Sequence, residues 1–326
     1  MIDIYFEENY AKLYEKIEQG KSVVFEYKSD FGHIRHLFIK REIPIRINDT
    51  TYYDLTTPYG YGGPTIIQCQ NNKKKQLVEE FEQAFSEFCR EHNIVCEFIR
   101  FHPILRNAND FKEIYDVSYV RNTVGTTINK NDDPMQSEFS KSARKTIRRV
   151  LKSGLKYRII QKPNKIRNFK EVYYSTMDRN NASEYYYFDD EYFDRCLDLF
   201  NENIISIEVL YNDKVIAAAF YFVYGQFIHA HLSGTLQEYL HLSPAYIIKY
   251  ATAIWARENN IGLIHYGGGT TNDKEDSLYM FKKKFTKETE FQFFTGKKMW
   301  NKKVYSDLCQ HKQVNTKSNY FPAYRE

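Results

Sequence analysis

At 326 residues the chain is long enough for one large domain or two ordinary ones. Its 42% hydrophobic and 27% charged residues are the proportions of a soluble globular protein, and no run approaches the roughly 20 apolar residues that a bilayer span needs. A net charge of only +4 creates no global field that demands a nucleic-acid partner, so such contacts must rest on local patches.

In chain order, a helix is predicted over 10–19, then strands at 22–27, 36–40 and 51–55 with turn residues between them. The loop Pro58-Tyr59-Gly60-Tyr61-Gly62-Gly63-Pro64 leads to an amphipathic helix over 73–92, whose Leu77, Phe81, Phe85 and Phe88 fall at helical spacing. A strand over 94–101 closes this unit. Residues 138–152 follow, with an apolar stripe of Phe139, Ala143, Ile147 and Val150 or Leu151. Six cations crowd the rest of that segment: Lys141, Arg144, Lys145, Arg148, Arg149 and Lys152. Cations without interleaved acids repel one another unless an anion visits, so it reads as a phosphate-binding helix or as a solvated basic face.

The second half predicts strands at 204–211, 215–224 and 227–232, with Asn212-Asp213 and Gly225-Gln226 as hairpin turns. Ser243-Pro244 opens a helix over 245–258, and a strand over 261–266 follows. The joints Glu91-His92-Asn93-Ile94 and Glu258-Asn259-Asn260-Ile261 match, which reads as a tandem duplication of a meander, helix and strand unit. The last strand runs into Gly267-Gly268-Gly269-Thr270-Thr271, and an Asp276-Ser277 cap then opens a basic-aromatic helix. Glycines let a ligand approach the backbone closely. Lys282, about two turns into the helix, is expected to aim its ammonium back at that loop. Strand, glycine loop and lysine helix together suit a substrate bearing a carbonyl or phosphate.

The five cysteines (Cys69, Cys89, Cys96, Cys196 and Cys309) are scattered, odd in number and form no CxxC pair, the pattern of a reduced, cytosolic, metal-free chain. His229 and His231 have no further ligands at zinc-like spacing, so no metal and no cofactor is expected. Residues 1–8 carry neither a basic segment nor a long apolar run, so no targeting signal is expected there. Aromatic content of 17% suits clefts for sugars, bases or peptides, and equally a composition biased towards Tyr, Phe, Asn, Lys and Ile.

The motifs, in this order, resemble the FemABX-type transferases, a tandem-GNAT family that adds amino acids to peptidoglycan precursors. The resemblance is carried by Pro58 to Pro64, by Phe101-His102-Pro103-Ile104-Leu105, and by Ser142, Arg144, Ile147 and Arg148 of the basic segment. It continues through Tyr173-Tyr174-Ser175-Thr176-Met177-Asp178-Arg179-Asn180, Tyr185-Tyr186-Tyr187-Phe188 and His231-Leu232-Ser233-Gly234. The triple glycine, Asp276-Ser277-Leu278 and Phe281-Lys282 complete it. It implies an α+β fold of two GNAT-like subdomains, residues 1–140 and 141–299, with 300–326 packing back on the first and the acceptor in the cleft between them. No heptad run of coiled-coil length is present, so the compact type without a helical arm is expected.

The implied chemistry is attack of an amine on an ester or thioester, which needs two aligned substrates and a stabilised oxyanion. Lys282 matches the family's Phe-Lys position and is the expected oxyanion or phosphate stabiliser. Arg179, matching the family's Arg after the Thr-Met helix, is the expected acceptor-phosphate ligand, with an ion pair to Asp189 or Asp190 as the rival reading. Arg144 and Arg148 would join it on the acceptor, and Tyr59, Tyr61, Tyr186 and Tyr187 would line the cleft or serve as core aromatics. Gly267, Gly268, Gly269, Lys283 and Lys298 would face the donor. Asp54, at a strand end before the Pro-Tyr-Gly loop, is the candidate general base.

GNAT acetyltransferases hold the pyrophosphate of coenzyme A on a glycine-rich loop entering a helix. The equivalent residues here, 233–244, have no glycine after Gly234, carry Glu238 and lose an N–H to Pro244. Lys282, Lys283, Lys284, Lys287, Lys297, Lys298, Lys302 and Lys303, with Trp300 for stacking, form instead a basic track for tRNA, or only a solvated lysine-rich surface. The expected function is transfer of an aminoacyl group from aminoacyl-tRNA to an amine of a phosphorylated, nucleotide- or lipid-linked cell-envelope precursor. The alternatives are thioester-dependent N-acylation of a surface-polysaccharide sugar, and non-catalytic RNA or glycan binding. The expected location is the cytoplasm, with peripheral contact at the inner membrane face.

Overall fold

The computed structural model describes residues 2–316, 318 and 320–326. They divide into an N-terminal unit, Ile2–Arg121 with Gln292–Glu326, and a central unit, Asn122–Phe291. The N-terminal unit opens with α1 (Glu8–Tyr14), whose inward face is Tyr10, Ala11, Leu13 and Tyr14. A long hairpin of β1 (Gly20–Ser29) and β2 (Gly32–Glu42) follows, in unbroken register from Gly20 opposite Arg41 to Ser29 opposite Gly32. β3 (Tyr53–Thr56) and β4 (Thr65–Cys69) both pair antiparallel with β2. α2 (Lys74–Glu91) then crosses over, so that β5 (Ile94–Arg100) returns parallel to β3, as a helical crossover requires. Leu77, Phe81 and Phe85 of α2 are fully buried, as their spacing predicts, with Phe81 and Phe85 stacked at 5.6 Å. The short α3 (Ala108–Phe111) leads into β6 (Asp116–Thr127).

In the central unit α4 (Pro134–Ser137) precedes α5 (Lys141–Lys152), capped by the Ser140 hydroxyl on the Ala143 N–H. The inward face of α5 is Ala143, Ile147 and Val150, while Leu151 points outward. β7 (Lys156–Gln161), α6 (Arg167–Arg179) and α7 (Asp190–Phe200) come next, elements the sequence reading did not delimit. β8 (Ile204–Tyr211), β9 (Lys214–Tyr224) and β10 (Phe227–Thr235) form an antiparallel meander. Its first turn, Asn212-Asp213, has φ of +49° and +60°, the left-handed pair that a two-residue hairpin needs. α8 (Pro244–Glu258) then carries the chain to β11 (Leu263–Gly267), parallel to β10 and antiparallel to β6. α9 (Ser277–Lys283) leads to β12 (Glu290–Met299), and α10 (Lys302–His311) returns to the N-terminal unit.

Ala219 and Tyr221 of β9 share a core with α5 and α8, whereas Phe220 and Phe222 meet Phe169 of α6 and Phe200 of α7 on the opposite face. The two matched joints also share geometry. His92 and Asn259 end α2 and α8 with the same φ of −101° and ψ of 13°, and Asn93 and Asn260 follow at +55° and +56°. Both units thus contain a strand, a crossover helix and a parallel strand, which fits the duplication read from the sequence.

The unit limits correct those expected at 140/141 and 299/300. They fall at 121/122 and 291/292 because β6 and β12 each run through a limit instead of ending there. In the N-terminal unit β12 pairs antiparallel with β5. α10 places Val304, Tyr305, Leu308 and Cys309 in a buried cluster with Ile43, Val95, Cys96 and Tyr324. Residues 317 and 319 of the expected returning segment lie outside the described residues.

Candidate functional site

The central unit contains a parted pair of strands. β10 and β11 are in parallel register only from Phe227 with Leu263 to His229 with His265. Beyond that point β10 runs on to Thr235 and β11 turns away at Gly267. Gly267 has φ of +72°, a left-handed value that explains a glycine at this turn. Lys282 of α9 reaches back to this loop and donates to the Gly268 carbonyl at 2.6 Å.

Asp276 organises the rest of the loop. One carboxylate oxygen accepts from the Tyr279 N–H at 2.9 Å and so caps α9. The other accepts from the N–H and hydroxyl groups of Thr270 and Thr271 at 2.7 to 3.1 Å. Burial works to raise the pKa of Asp276, but these donors outweigh it and hold the carboxyl below the usual range. The loop folds so tightly on this carboxylate that a Cβ on Gly269 would stand 2.3 Å from its oxygen. Gly267 and Gly269 therefore have structural reasons of their own, where the sequence reading assigned them to the donor.

Arg179, at the end of α6, donates to the Thr235 carbonyl at 2.9 Å and lies 3.5 Å from the Thr176 hydroxyl, which itself accepts from the Thr235 N–H. It is thus fixed to the end of β10. Its expected rivals are engaged elsewhere: Asp189 caps α7 and Asp190 pairs with Lys170. Tyr186 is exposed, and Tyr187 donates to Asp178 at 2.8 Å. Arg148 is exposed on α5, Arg144 donates to the Gln136 carbonyl, and Arg149 lies 3.5 Å from the Ser243 hydroxyl at the start of α8.

Several candidates fall in the N-terminal unit, and there the geometry revises the reading. Asp54 is fully buried and is no substrate base: one oxygen takes Arg41 at 2.7 Å, the other takes Arg325 and the Tyr324 hydroxyl. It anchors the C-terminal segment. Tyr61 packs edge-on against Tyr5, His102 and Phe293, and the Tyr59 carbonyl accepts from Tyr10. Burial raises the Tyr61 hydroxyl above its ordinary pKa. Lys298 pairs with Glu82 at 2.8 Å, and Trp300 packs against Phe85 and Tyr115, so neither is a free element of a tRNA track. Lys283 pairs with Glu290 at 2.7 Å.

The sequence reading missed Lys249. It lies on α8 with its amine 3.9 Å from the Tyr266 ring centroid, and it is 9% exposed. The available signal was a lone lysine in the apolar run Ile247-Ile248-Lys249-Tyr250-Ala251. His231, by contrast, is a satisfied, half-buried histidine: Tyr192 lies 2.7 Å from its Nε2, and desolvation with nearby His229 lowers its pKa to about 3.

Residues 137–275 match the family described as acetyltransferase (GNAT) domain. A comparison with curated protein sequences gives no significant match. Among solved structures, FemX aligns over 93% of this chain and 94% of its own, with a TM-score of 0.70 at 12% identity. The C-terminal domain of a putative lysylphosphatidylglycerol synthetase from Agrobacterium fabrum aligns over 93% of each chain, with a TM-score of 0.52 at 11% identity. L-PGS from Bacillus licheniformis aligns over 96% of this chain and 98% of its own, with a TM-score of 0.50 at 11% identity. Residues 137–275, within the central unit, are thus similar to a GNAT domain, and the chain has a tandem GNAT fold that is FemX-like over nearly its whole length.

Proposed function

We propose that this chain transfers an aminoacyl group from aminoacyl-tRNA to an amine of a nucleotide- or lipid-linked cell-envelope precursor. The observation that carries the choice of donor is the entry to α8. The Ser243 N–H is committed to the Leu240 carbonyl, Pro244 has none, and the Tyr246 N–H turns back to the Ser243 carbonyl. A pyrophosphate seated there as in GNAT acetyltransferases would find few of the backbone donors it needs. The likeness to FemX and to a domain named as part of a putative lysylphosphatidylglycerol synthetase supports an aminoacyl cargo and an envelope acceptor. In this reading Lys282, reaching from α9 to the turn after β11, faces the developing oxyanion, Arg179 meets an acceptor phosphate, and the basic face of α5 meets the acceptor or the tRNA backbone. The acetyltransferase description of the matched family favours the second reading, an acyl thioester donor.

A thermal-shift series separates the two. A ligand selective for the native state raises the melting midpoint. UDP-MurNAc-peptide should raise it, and acetyl-CoA at micromolar concentration should not. Stabilisation by acetyl-CoA, or coenzyme A seated at the start of α8, would move the reading to the thioester donor.

A further inference from the structure

Lys249 has no part in the assignments above, yet its position is specific. Its amine lies 3.9 Å from the Tyr266 ring centroid and 5.9 Å from that of Tyr221. Tyr221 is paired with Ala230 of β10, and Tyr266 follows His265, the last β11 residue in register with β10. The amine therefore sits beside the point where β10 and β11 part. The two rings are not hydrogen-bond acceptors of ordinary strength, and no carboxylate pairs with the amine among the described residues. Tyr266 does not accept its proton through the hydroxyl, which is bound to Thr126 at 2.8 Å.

The groups around it are few. Lys282 acts on it from α9, Tyr221 from β9 and Tyr266 from β11. Glu138, after α4, acts electrostatically on Tyr266, and its carboxylate accepts the Lys287 N–H. Tyr157 of β7 meets Tyr250 at 6.1 Å, and α5, β8 and β10 turn apolar side chains such as Ile147, Ile207 and Ile228 into the shared core.

Resting on the transfer reading above, we propose that Lys249 is a catalytic base of that reaction: its amine takes a proton from the acceptor's ammonium where β10 and β11 part. Burial, reinforced by the charge of Lys282, holds the Lys249 ammonium well below the ordinary lysine pKa, so an uncharged amine is at hand to accept the proton. The balance is simple. Lys249 removes one proton from the ammonium, and the freed amine forms the new C–N bond at the ester carbonyl. A second proton passes from that nitrogen to the departing oxygen as the C–O bond breaks. Lys249 then returns the first proton to solvent.

The test compares wild type, Lys249→Met and Lys249→Arg in a transfer assay over pH, with kcat and acceptor KM measured separately. Methionine fills the buried volume without a base, and arginine stays protonated throughout. Both variants should lower kcat about 10²-fold or more, the typical contribution of a positioned base, abolish the acid limb of the kcat profile and leave acceptor KM within about threefold. Lys249→Cys treated with 2-bromoethylamine, which restores a lysine-like amine, should recover rate and limb, with treated wild type as the control. Rate within a few-fold of wild type in Lys249→Met, or an intact limb in any slow variant, overturns the role. If Lys249→Met fails to fold, pH-dependent acetic anhydride labelling of wild type decides: titration of Lys249 at the ordinary lysine value overturns it. Absence of transfer by wild type itself would instead defeat the reading of the whole site, and the base role with it.

Discussion

At the scale of single residues, three amines that neighbour one another in sequence or space differ by what holds them. Lys282 bonds to the Gly268 carbonyl, Lys283 pairs with Glu290, and Lys284 reaches the Tyr246 hydroxyl. If Lys282 stabilises charge that appears only at the tetrahedral stage, Lys282→Met lowers kcat about 10²–10³-fold and leaves acceptor affinity nearly intact. Lys283→Met and Lys284→Met change the rate only a few-fold; equal losses in all three would show that Lys282 is a generic cation. Asp276 makes a separate prediction about stability. Its folded pKa is depressed, so its contribution is complete above the ordinary carboxylate range and fades as pH falls through the folded value. Asp276→Asn should cost about 1–2 kcal/mol at pH 7, the scale of a lost helix cap. Denaturant titrations should show the gap from wild type narrowing at acid pH; a gap independent of pH would contradict a charged cap.

At the scale of elements, α5 keeps an apolar inward face and a cationic outward one, and its Arg149 leans on the first turn of α8. Like charges on one helix face cost a few tenths of a kcal/mol per pair, which a bound polyanion offsets. Replacing Arg144, Arg148 and Arg149 with Gln should weaken binding of tRNA or a phosphorylated acceptor and flatten its salt dependence, because each lost phosphate contact lowers the slope of log K against log salt by about 0.9 for a duplex. Binding isotherms at three salt concentrations measure this. An unchanged slope would make α5 a solvated face.

At the scale of the whole molecule, the C-terminal segment completes the N-terminal unit. Val304, Tyr305, Leu308, Cys309 and Tyr324 are buried there, and Arg325 and Tyr324 close on Asp54. At roughly 1.5–3 kcal/mol for each large apolar side chain, removing them takes away on the order of 10 kcal/mol, as much as a whole domain's stability. Deletion of residues 301–326 should therefore leave β3 and β5 without hydrogen-exchange protection, and retained protection would show that the segment is dispensable. Asp54→Ala offers a milder version: it leaves Arg41 only Glu18 and Arg325 only the Glu42 carbonyl, and should cost about 3 kcal/mol, the lower end for a half-removed buried ion pair.

Features set within a few residues were legible in the sequence. The helical spacing of α2, the Asn-Asp turn between β8 and β9, the Pro at the start of α8 and the Asp276 cap rest on contacts no more than four residues apart, and the structure contains each. The likeness of the joints after α2 and α8 was legible for the same reason. What the tertiary structure decided is the partner of each polar group. Asp54 has the composition and position of a base, but Tyr324, 270 residues away, claims it. Lys298 and Trp300 lie in a lysine-rich stretch, but β12 pairs with β5 and turns them into the N-terminal unit. Lys249 looks like one more lysine in a lysine-rich chain until α8 packs on the sheet and shuts it among tyrosines. Backbone propensity and turn chemistry are local and survive in the order of residues, whereas desolvation and charge pairing depend on which distant strands the topology makes neighbours.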